Sequence, residues 1–276
     1  MGVTERELPP LQLDASDALA GLELSREAGW NQNETDWRYF LSKGIVYGLR
    51  DGASRLIATA ALLPYTRREA WISMVLVTKS RRRQGLATRL VDACLDAAMR
   101  LGLTAWLDAT PAGAAVYGPL GFSPTIQLRR LRLEGIASPG ASSDLPPGKL
   151  GDFISCDINA MGFDRRDLII ELSGRTGSRL LSTNDAMALV REGRTARHIG
   201  PVFAENPDSA LALVGDIAAS ESGPHLIDAV ADQTIFLDGL MRAGWTLERS
   251  FQRMRFGRAA SQAGELPFAV AGPEFG

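Results

Sequence analysis

Residues 79–90, KSRRRQGLATRL, place Lys79, Arg81, Arg82 and Arg83 just ahead of Gly85 and then turn apolar. Leu86, Leu90, Cys94, Ala97 and Leu101 recur at the spacing of one helix face, and Gly102 supplies the stop signal. The preceding run AWISMVLV, residues 70–77, reads as a strand. A strand therefore feeds a basic, glycine-containing turn that opens a helix. Glycine at that point admits left-handed backbone and the close approach of a ligand, while the first N–H groups of the helix have no partner and carry its positive dipole end. This is the construction of a phosphate site, and Arg82 and Arg83 can add charge-assisted hydrogen bonds. A solvated charge run and a nucleic-acid patch share the same local composition, so the rest of the chain must separate the three.

Thirty Lys and Arg against 32 Asp and Glu give a net charge of −2, without the global positive field that drives sequence-blind nucleic-acid binding. The 276 residues are 45% apolar and 22% charged, an ordinary globular composition. At roughly 150 residues per domain that length fits two. Cys94 and Cys156 cannot form a disulfide framework and are expected to be reduced and structural. The start MGVTERELPPLQLD has acids and prolines where a signal peptide needs a basic start and an apolar run, and Arg6 spoils the myristoylation pattern at Gly2. The apolar stretch Leu56 to Leu63 is too short to span a bilayer. A cytoplasmic protein without a membrane partner is the expectation. His198 and His225 have no Cys or carboxylate at ligand spacing, so they are expected to be structural, with no metal.

Along the chain, Ser16 to Ala28 predicts a helix, and Thr35 can cap a second through TDWRYFLSK, ending at Gly44. IVYGLR and SRLIATAALLPY flank Asp51-Gly52 as a hairpin. LTAWL predicts a strand, AAVYGPL a short helix, and TIQLRRLRL a last alternating strand whose Arg129 to Leu133 face is expected to be half-solvated. The Pro-, Gly- and Ser-rich residues 137–151 read as a linker between a first unit, 1–136, and a second, 152–276. In the second unit GFDRRDLIIEL predicts a helix at the boundary; AMALV and TARHIGPVFA pair around Glu192-Gly193, and PDSALALVGDIAAS, HLIDAV, QTIFLDGLMRAGW and TLERSFQRMRF repeat the helix, strand, helix, strand order. Two copies at a period of about 130 residues indicate a duplicated domain and not a solenoid. At the strand-to-helix junction the second copy has FAENPDSA, with Glu205, Asp208 and no glycine, so only the first junction can cradle an anion.

The spacing Arg82-x-x-Gly85-x-Ala87 after Val75-Leu76-Val77, followed about 30 residues on by YGPLGF (117–122), resembles the signature of the GNAT superfamily of acetyl-CoA-dependent N-acetyltransferases over roughly residues 12–135. The two-unit plan is similar to bacterial members with a divergent second GNAT-like domain. The resemblance implies an α/β (α+β) fold of two tandem units, each a mixed, mostly antiparallel twisted sheet flanked by helices. It implies that the coenzyme pyrophosphate sits on the turn Arg82, Arg83, Gln84, Gly85, Leu86, Ala87 and Thr88, and that the pantetheine arm pairs with Val75, Leu76 and Val77. Thr110, Gly113 and Phe122 join that coenzyme set, with Thr110 standing where many relatives have Asn.

The resemblance further implies direct attack by a primary amine, on a small molecule or a peptide, within a ternary complex. Tyr117 is placed by the motif to hydrogen-bond the departing sulfur. Its ordinary pKa of about 10 exceeds that of a thiol at about 8.5, so outright proton donation is uphill by about 2 kcal/mol and stabilisation of the thiolate is the expected role. Asp108, after LTAWL, is a candidate base, and a water chain ending on a backbone carbonyl is another. Trp30, Asn31, Glu34 and Asp36 lie in the segment that resembles the family's acceptor-binding region. A non-catalytic acyl-CoA-binding regulator is the alternative of a different class, and homo-oligomerisation stays open.

Overall fold

The computed structural model describes residues 9–66, 68–135, 145–257 and 265–276. The first unit runs β1 (Leu11–Gln12), α1 (Ala18–Ala28), α2 (Glu34–Lys43), β2 (Ile45–Arg50), β3 (Leu56–Pro64), β4 (Glu69–Val77), α3 (Leu86–Arg100), β5 (Thr104–Ala109), α4 (Pro111–Tyr117) and β6 (Phe122–Leu133). The second runs α5 (Leu150–Met161), α6 (Arg166–Gly174), β7 (Arg179–Ser182), β8 (Ala186–Arg191), β9 (Arg197–Ala204), α7 (Pro207–Ser220), β10 (His225–Val230), α8 (Thr234–Arg242) and β11 (Thr246–Phe256). Most elements fall where the apolar spacing puts them.

The eleven strands form one sheet in the order β1-β2-β3-β4-β5-β11-β6-β10-β9-β8-β7. Only β4/β5 and β9/β10 are parallel pairs. The two units exchange their last strands: β11 of the second lies against β5 of the first, and β6 of the first lies against β10 of the second. β6 and β11 then pair with each other in the centre of the sheet, joining the units by backbone hydrogen bonds.

The exchange revises the expectation of a half-solvated face at Arg129 to Leu133: Arg129, Arg132 and Leu133 are half-exposed, but Arg130 and Leu131 are buried. Arg130 is 5% exposed, and its Nε and Nη2 donate to the two carboxylate oxygens of Asp228 on β10, both at 2.8 Å. The mirror pair is Arg253 on β11, whose Nε and Nη2 reach Asp108 on β5, both at 2.9 Å. Each unit thus supplies an arginine on its last strand to the aspartate of the other. Breaking one buried pair strands a charge, which typically costs about 3–5 kcal/mol.

One apolar cluster, with Leu22, Trp37, Phe40, Trp71 and Met74, packs α1 and α2 on one face of the sheet. Another, with Ile72, Leu90, Cys94, Leu107 and Ala109, packs α3 on the opposite face. Cys94 and Cys156 are free thiols. His225 is fully buried, opposite Leu133 of β6 and Arg197 of β9, and His198 shares Asp228 with Arg130 through Nε2 at 2.9 Å.

Four local expectations are revised. Asn33, not Thr35, caps α2, and the Asp36 carboxylate returns the bond in a capping box. Of the expected linker, residues 137–144 lie outside the described residues, whereas Leu150 and Gly151 already open α5. β7 has no counterpart in the expected pattern. Residues 265–276 carry no predicted element, yet Phe268, Ala269, Val270 and Phe275 are all buried, and Ala269 bridges both Val202 and Ala229. Residues 1–8, with Gly2 and Arg6, lie outside the described residues.

Candidate active site

β4 and β5 pair at only three positions, Glu69↔Thr104, Ala70↔Ala105 and Trp71↔Trp106, and then part. At the parting point the two indole rings stack, 6.3 Å between centroids and 2° from parallel. Arg253 lies 4.7 Å over Trp71 and Arg255 lies 5.6 Å over Trp106. The register between β3 and β4 slips between Thr59 and Ala61, and Met74 at the bulge takes φ 51°. Its carbonyl is held by the Thr59 hydroxyl at 2.8 Å. A non-glycine residue with positive φ at a bulge is the strained backbone that re-aims a strand. Beyond it, Val75 to Val77 present an edge that β5 no longer covers, open to an extended ligand.

β4 delivers the chain into the basic turn. Arg83 adopts φ 62° and Gly85 φ 77°, and α3 starts without a side-chain cap. The first intrahelical bond runs from the Arg89 N–H to the Gly85 carbonyl, so the amides of Leu86, Ala87 and Thr88 have no partner within the helix. A Cβ added to Gly85 would meet no atom within 4 Å, so the space beside this glycine is open. Arg82 and Arg83 are exposed, and the Arg82 Nε turns back to the Val77 carbonyl at 3.2 Å. Glu27 of α1 anchors the turn by accepting from the Lys79 N–H at 2.8 Å. The equivalent junction in the second unit is closed. The Asn206 side chain caps α7 by accepting from the Ser209 N–H at 2.9 Å, Pro207 has no N–H, and Asp208 adds negative charge in the first turn.

A cavity opens through the splay between β4 and β5. On the α3 face it is lined by Val75, Ala109, Thr110, Gly113 and Tyr117. Thr110 caps α4 by accepting from the Gly113 N–H at 3.2 Å. Gly113 lets the Tyr117 ring lie close, since a Cβ there would stand 3.1 Å from the ring edge. Phe122 does not line the cavity; it packs against Tyr117 with ring centroids 6.2 Å apart and fixes the ring's tilt. Burial pushes the Tyr117 phenol up to about 12, so it stays a neutral O–H donor at physiological pH.

The amino-acid sequence compares accordingly. The model of the acetyltransferase (GNAT) family matches residues 16–122, and that of an acetyltransferase (GNAT) domain matches residues 153–268. The chain belongs to the GNAT acetyltransferase family. It is a two-unit member and an acyltransferase. An uncharacterized N-acetyltransferase of Bacillus subtilis, YitH, is 25% identical over 240 residues, covering 81% of this chain and 83% of that protein. Among solved structures, a presumed acetyltransferase from Pyrococcus horikoshii superposes with a TM-score of 0.75 at 18% identity, covering 96% of this chain and 94% of that one. A tandem GNAT protein from the clavulanic acid biosynthesis pathway gives a TM-score of 0.60 at 16% identity, covering 92% and 100%. At these identities the structures attest the fold.

The α1 face of the GNAT cavity differs most from what the sequence suggests. Trp30 lines it, and so does Asp108, with both carboxylate oxygens on Arg253. Burial raises the Asp108 carboxyl, against the opposing charge of Arg253. Asn31, Glu34 and Asp36 do not line it. Asn31 Oδ1 accepts from the Thr195 N–H, the Thr195 hydroxyl and the Ala196 N–H, and its Nδ2 donates to the Ala196 carbonyl, all within 2.9–3.0 Å. Asp36 pairs with Arg175 at 2.6 Å, and Glu34 pairs with Arg38 on the surface. Asn31 and Asp36 tie the α1–α2 loop and the start of α2 to the second unit. The polar and aromatic lining residues that the sequence does not announce are Gln32, Ser73, Arg130, Arg249, Phe251 and Glu274. Three come from exchanged or distant segments that no local motif marks; the repeated RRLRL and QRMRF strands carried the signal for Arg130 alone.

Among the described residues no three His, Cys, Asp or Glu gather as a metal-binding group, and no helix is long and apolar enough to cross a membrane.

Proposed function

We propose that the protein acetylates a primary amine, with acetyl-CoA as co-substrate and direct attack in a ternary complex, and that the first unit is catalytic while the second has lost coenzyme binding. The observation that carries this is the pairing of one open cradle, entered through Gly85, with a cavity that crosses the sheet to Tyr117. The residues present suit the coenzyme. The uncapped amides of Leu86, Ala87 and Thr88 with Arg82 and Arg83 would hold its phosphates, and the β4 edge at Val75 to Val77 would hold its amide-bearing arm. When bound it supplies an activated acetyl thioester at the cavity.

Tyr117 donates a hydrogen bond toward the sulfur position and stabilises negative charge there as the carbon–sulfur bond breaks. The amine must reach the cavity from the α1 face and shed one proton. Both oxygens of Asp108 are engaged by Arg253, so neither is left unengaged to receive a proton. Glu274 has only Oε1 engaged, by Arg191 Nη2 at 2.7 Å, and lines the same cavity. The geometry favours Glu274 over Asp108 as proton acceptor, with Asp108 holding Arg253.

Thiol release from acetyl-CoA, measured against amino acids, polyamines, aminoglycosides and peptide N-termini, tests this reading. Turnover with at least one amine and one coenzyme bound per chain are expected. Coenzyme binding without thiol release for any amine would favour a sensor, and two coenzymes per chain would remove the division of labour between units.

A further inference from the structure

Several polar groups on the α1 face of the cavity have no partner within the fold. Gln32 Oε1 and Ser73 Oγ are buried in residues 4% and 7% exposed, and neither has a hydrogen-bond partner among the described residues. Both residues line the cavity, as does Glu274, whose Oε2 is left once Arg191 has taken Oε1. Leaving buried polar atoms unpaired costs stability, and sites that do so are commonly shaped for a ligand. All three atoms can accept a hydrogen bond, and an alkylammonium has three N–H donors and no acceptor. The group that suits them is therefore a primary ammonium.

At the same cavity stand two guanidinium groups. Arg130 and Arg249 are directly opposed on β6 and β11, so their side chains share a face. Arg130 lies 5.3 Å over the Phe251 ring and gives Nε and Nη2 to Asp228, which leaves Nη1. Arg249 is half-buried and has no ion-pair or hydrogen-bond partner among the described residues. Asp228 lies on β10, on the far side of β6 from β11, so the Arg249 guanidinium and the Arg130 Nη1 keep N–H donors facing the cavity that a bound carboxylate can accept from.

We infer that the acceptor is a small amino-carboxylate, its ammonium received by Gln32, Ser73 and Glu274 and its carboxylate by Arg249 with Arg130. This rests on the reading of the cavity as the acetyl-acceptor site. A polyamine would set a second cation against Arg249 and Arg130, and an internal peptide amine would leave their charge unanswered.

The test compares phenylalanine, leucine and glycine with their amides and with phenethylamine, isoamylamine and methylamine. Thiol release from acetyl-CoA is followed after a titration has shown that the coenzyme binds. The acids should exceed both neutral series in kcat/KM by about tenfold or more, the scale of one charge-assisted interaction. Arg249→Gln should bring the ratio of acid to amide to within about twofold of unity, and Arg249→Lys should keep part of it. A wild-type enzyme that acetylates the amides or amines as well as the acids overturns the inference while leaving acetyl transfer standing, as does a preference that survives Arg249→Gln. Should no compound release thiol, the three acids are titrated into protein saturated with coenzyme A. Binding by wild type that Arg249→Gln weakens tenfold supports the inference, and no binding overturns it.

Discussion

Arg253 donates through Nε and Nη2 to both oxygens of Asp108, at 2.9 Å each, and so holds this cavity-lining carboxylate with a side chain from the opposite unit. Its counterpart, Arg130 with Asp228, does the same in the other direction. The double exchange joins the two halves in one sheet. Asp108→Asn should lower unfolding stability by about 3–5 kcal/mol, since Arg253 would be left buried and unpaired. The double variant Asp108→Leu with Arg253→Met should recover most of that loss in denaturant midpoints. Additive losses would show that the pair is not what couples the strands.

Asn31 spends both ends of its side chain on the second unit. Asn31→Ala removes four hydrogen bonds and leaves the Thr195 and Ala196 groups unsatisfied, with an expected cost of about 2–4 kcal/mol. Acetyl-CoA affinity should change by less than about twofold, because the cradle is on the far face. Calorimetric unfolding and coenzyme titration together check this.

Tyr117→Phe should lower kcat by about ten- to a thousand-fold with little change in acetyl-CoA affinity, the signature of an interaction made only in the transition state. Rapid-quench turnover with a working amine decides it. An unchanged kcat would remove the role.

At Gly85 the backbone sits at φ 77° and faces open space. Gly85→Val would strain that conformation, at about 1–2 kcal/mol, and would put a branched side chain where phosphates approach. The coenzyme dissociation constant should rise at least tenfold in calorimetric titration, whereas Asn206→Ala at the second junction should leave both the constant and the one-to-one stoichiometry as they were.

Burial lowers His225 from an ordinary value of 6.5 to about 4. The unfolded chain therefore binds a proton between those values that the folded chain refuses, so this group's contribution to stability is present above about pH 6.5 and is lost as pH falls toward 4. The loss amounts to at most about 3 kcal/mol. His225→Phe should flatten that part of the pH–stability curve in denaturant titrations; an unaltered slope would assign the acid sensitivity to other groups.

Much of the fold and the coenzyme half of the candidate site are legible in the residues. The strand ending at Val77, the turn through Gly85 and the amphipathic helix from Leu86 are local features, set by apolar period, backbone freedom and capping. The contrast with Asn206-Pro207-Asp208 is equally local, because a helix start either has free amides or has side chains that occupy them. The YGPLGF segment likewise locates Tyr117 and Phe122 together.

The α1 face of the cavity is not legible there. β6 and β11 alternate in the same way, so either could lie beside β5 or β10 without violating any pattern along the chain. Only the packed sheet decides, through which aspartate each arginine meets. The same choice brings Arg249, Phe251 and Glu274 to a cavity that their own segments do not announce, and it turns Asn31 and Asp36 from acceptor residues into ties between units. Local chemistry is thus written in the sequence of this protein, where a few neighbouring residues fix a backbone conformation. The α1 face of the cavity is decided by tertiary structure, because it depends on contacts between segments such as those of Arg130 with Asp228 and Arg253 with Asp108, 98 and 145 residues apart.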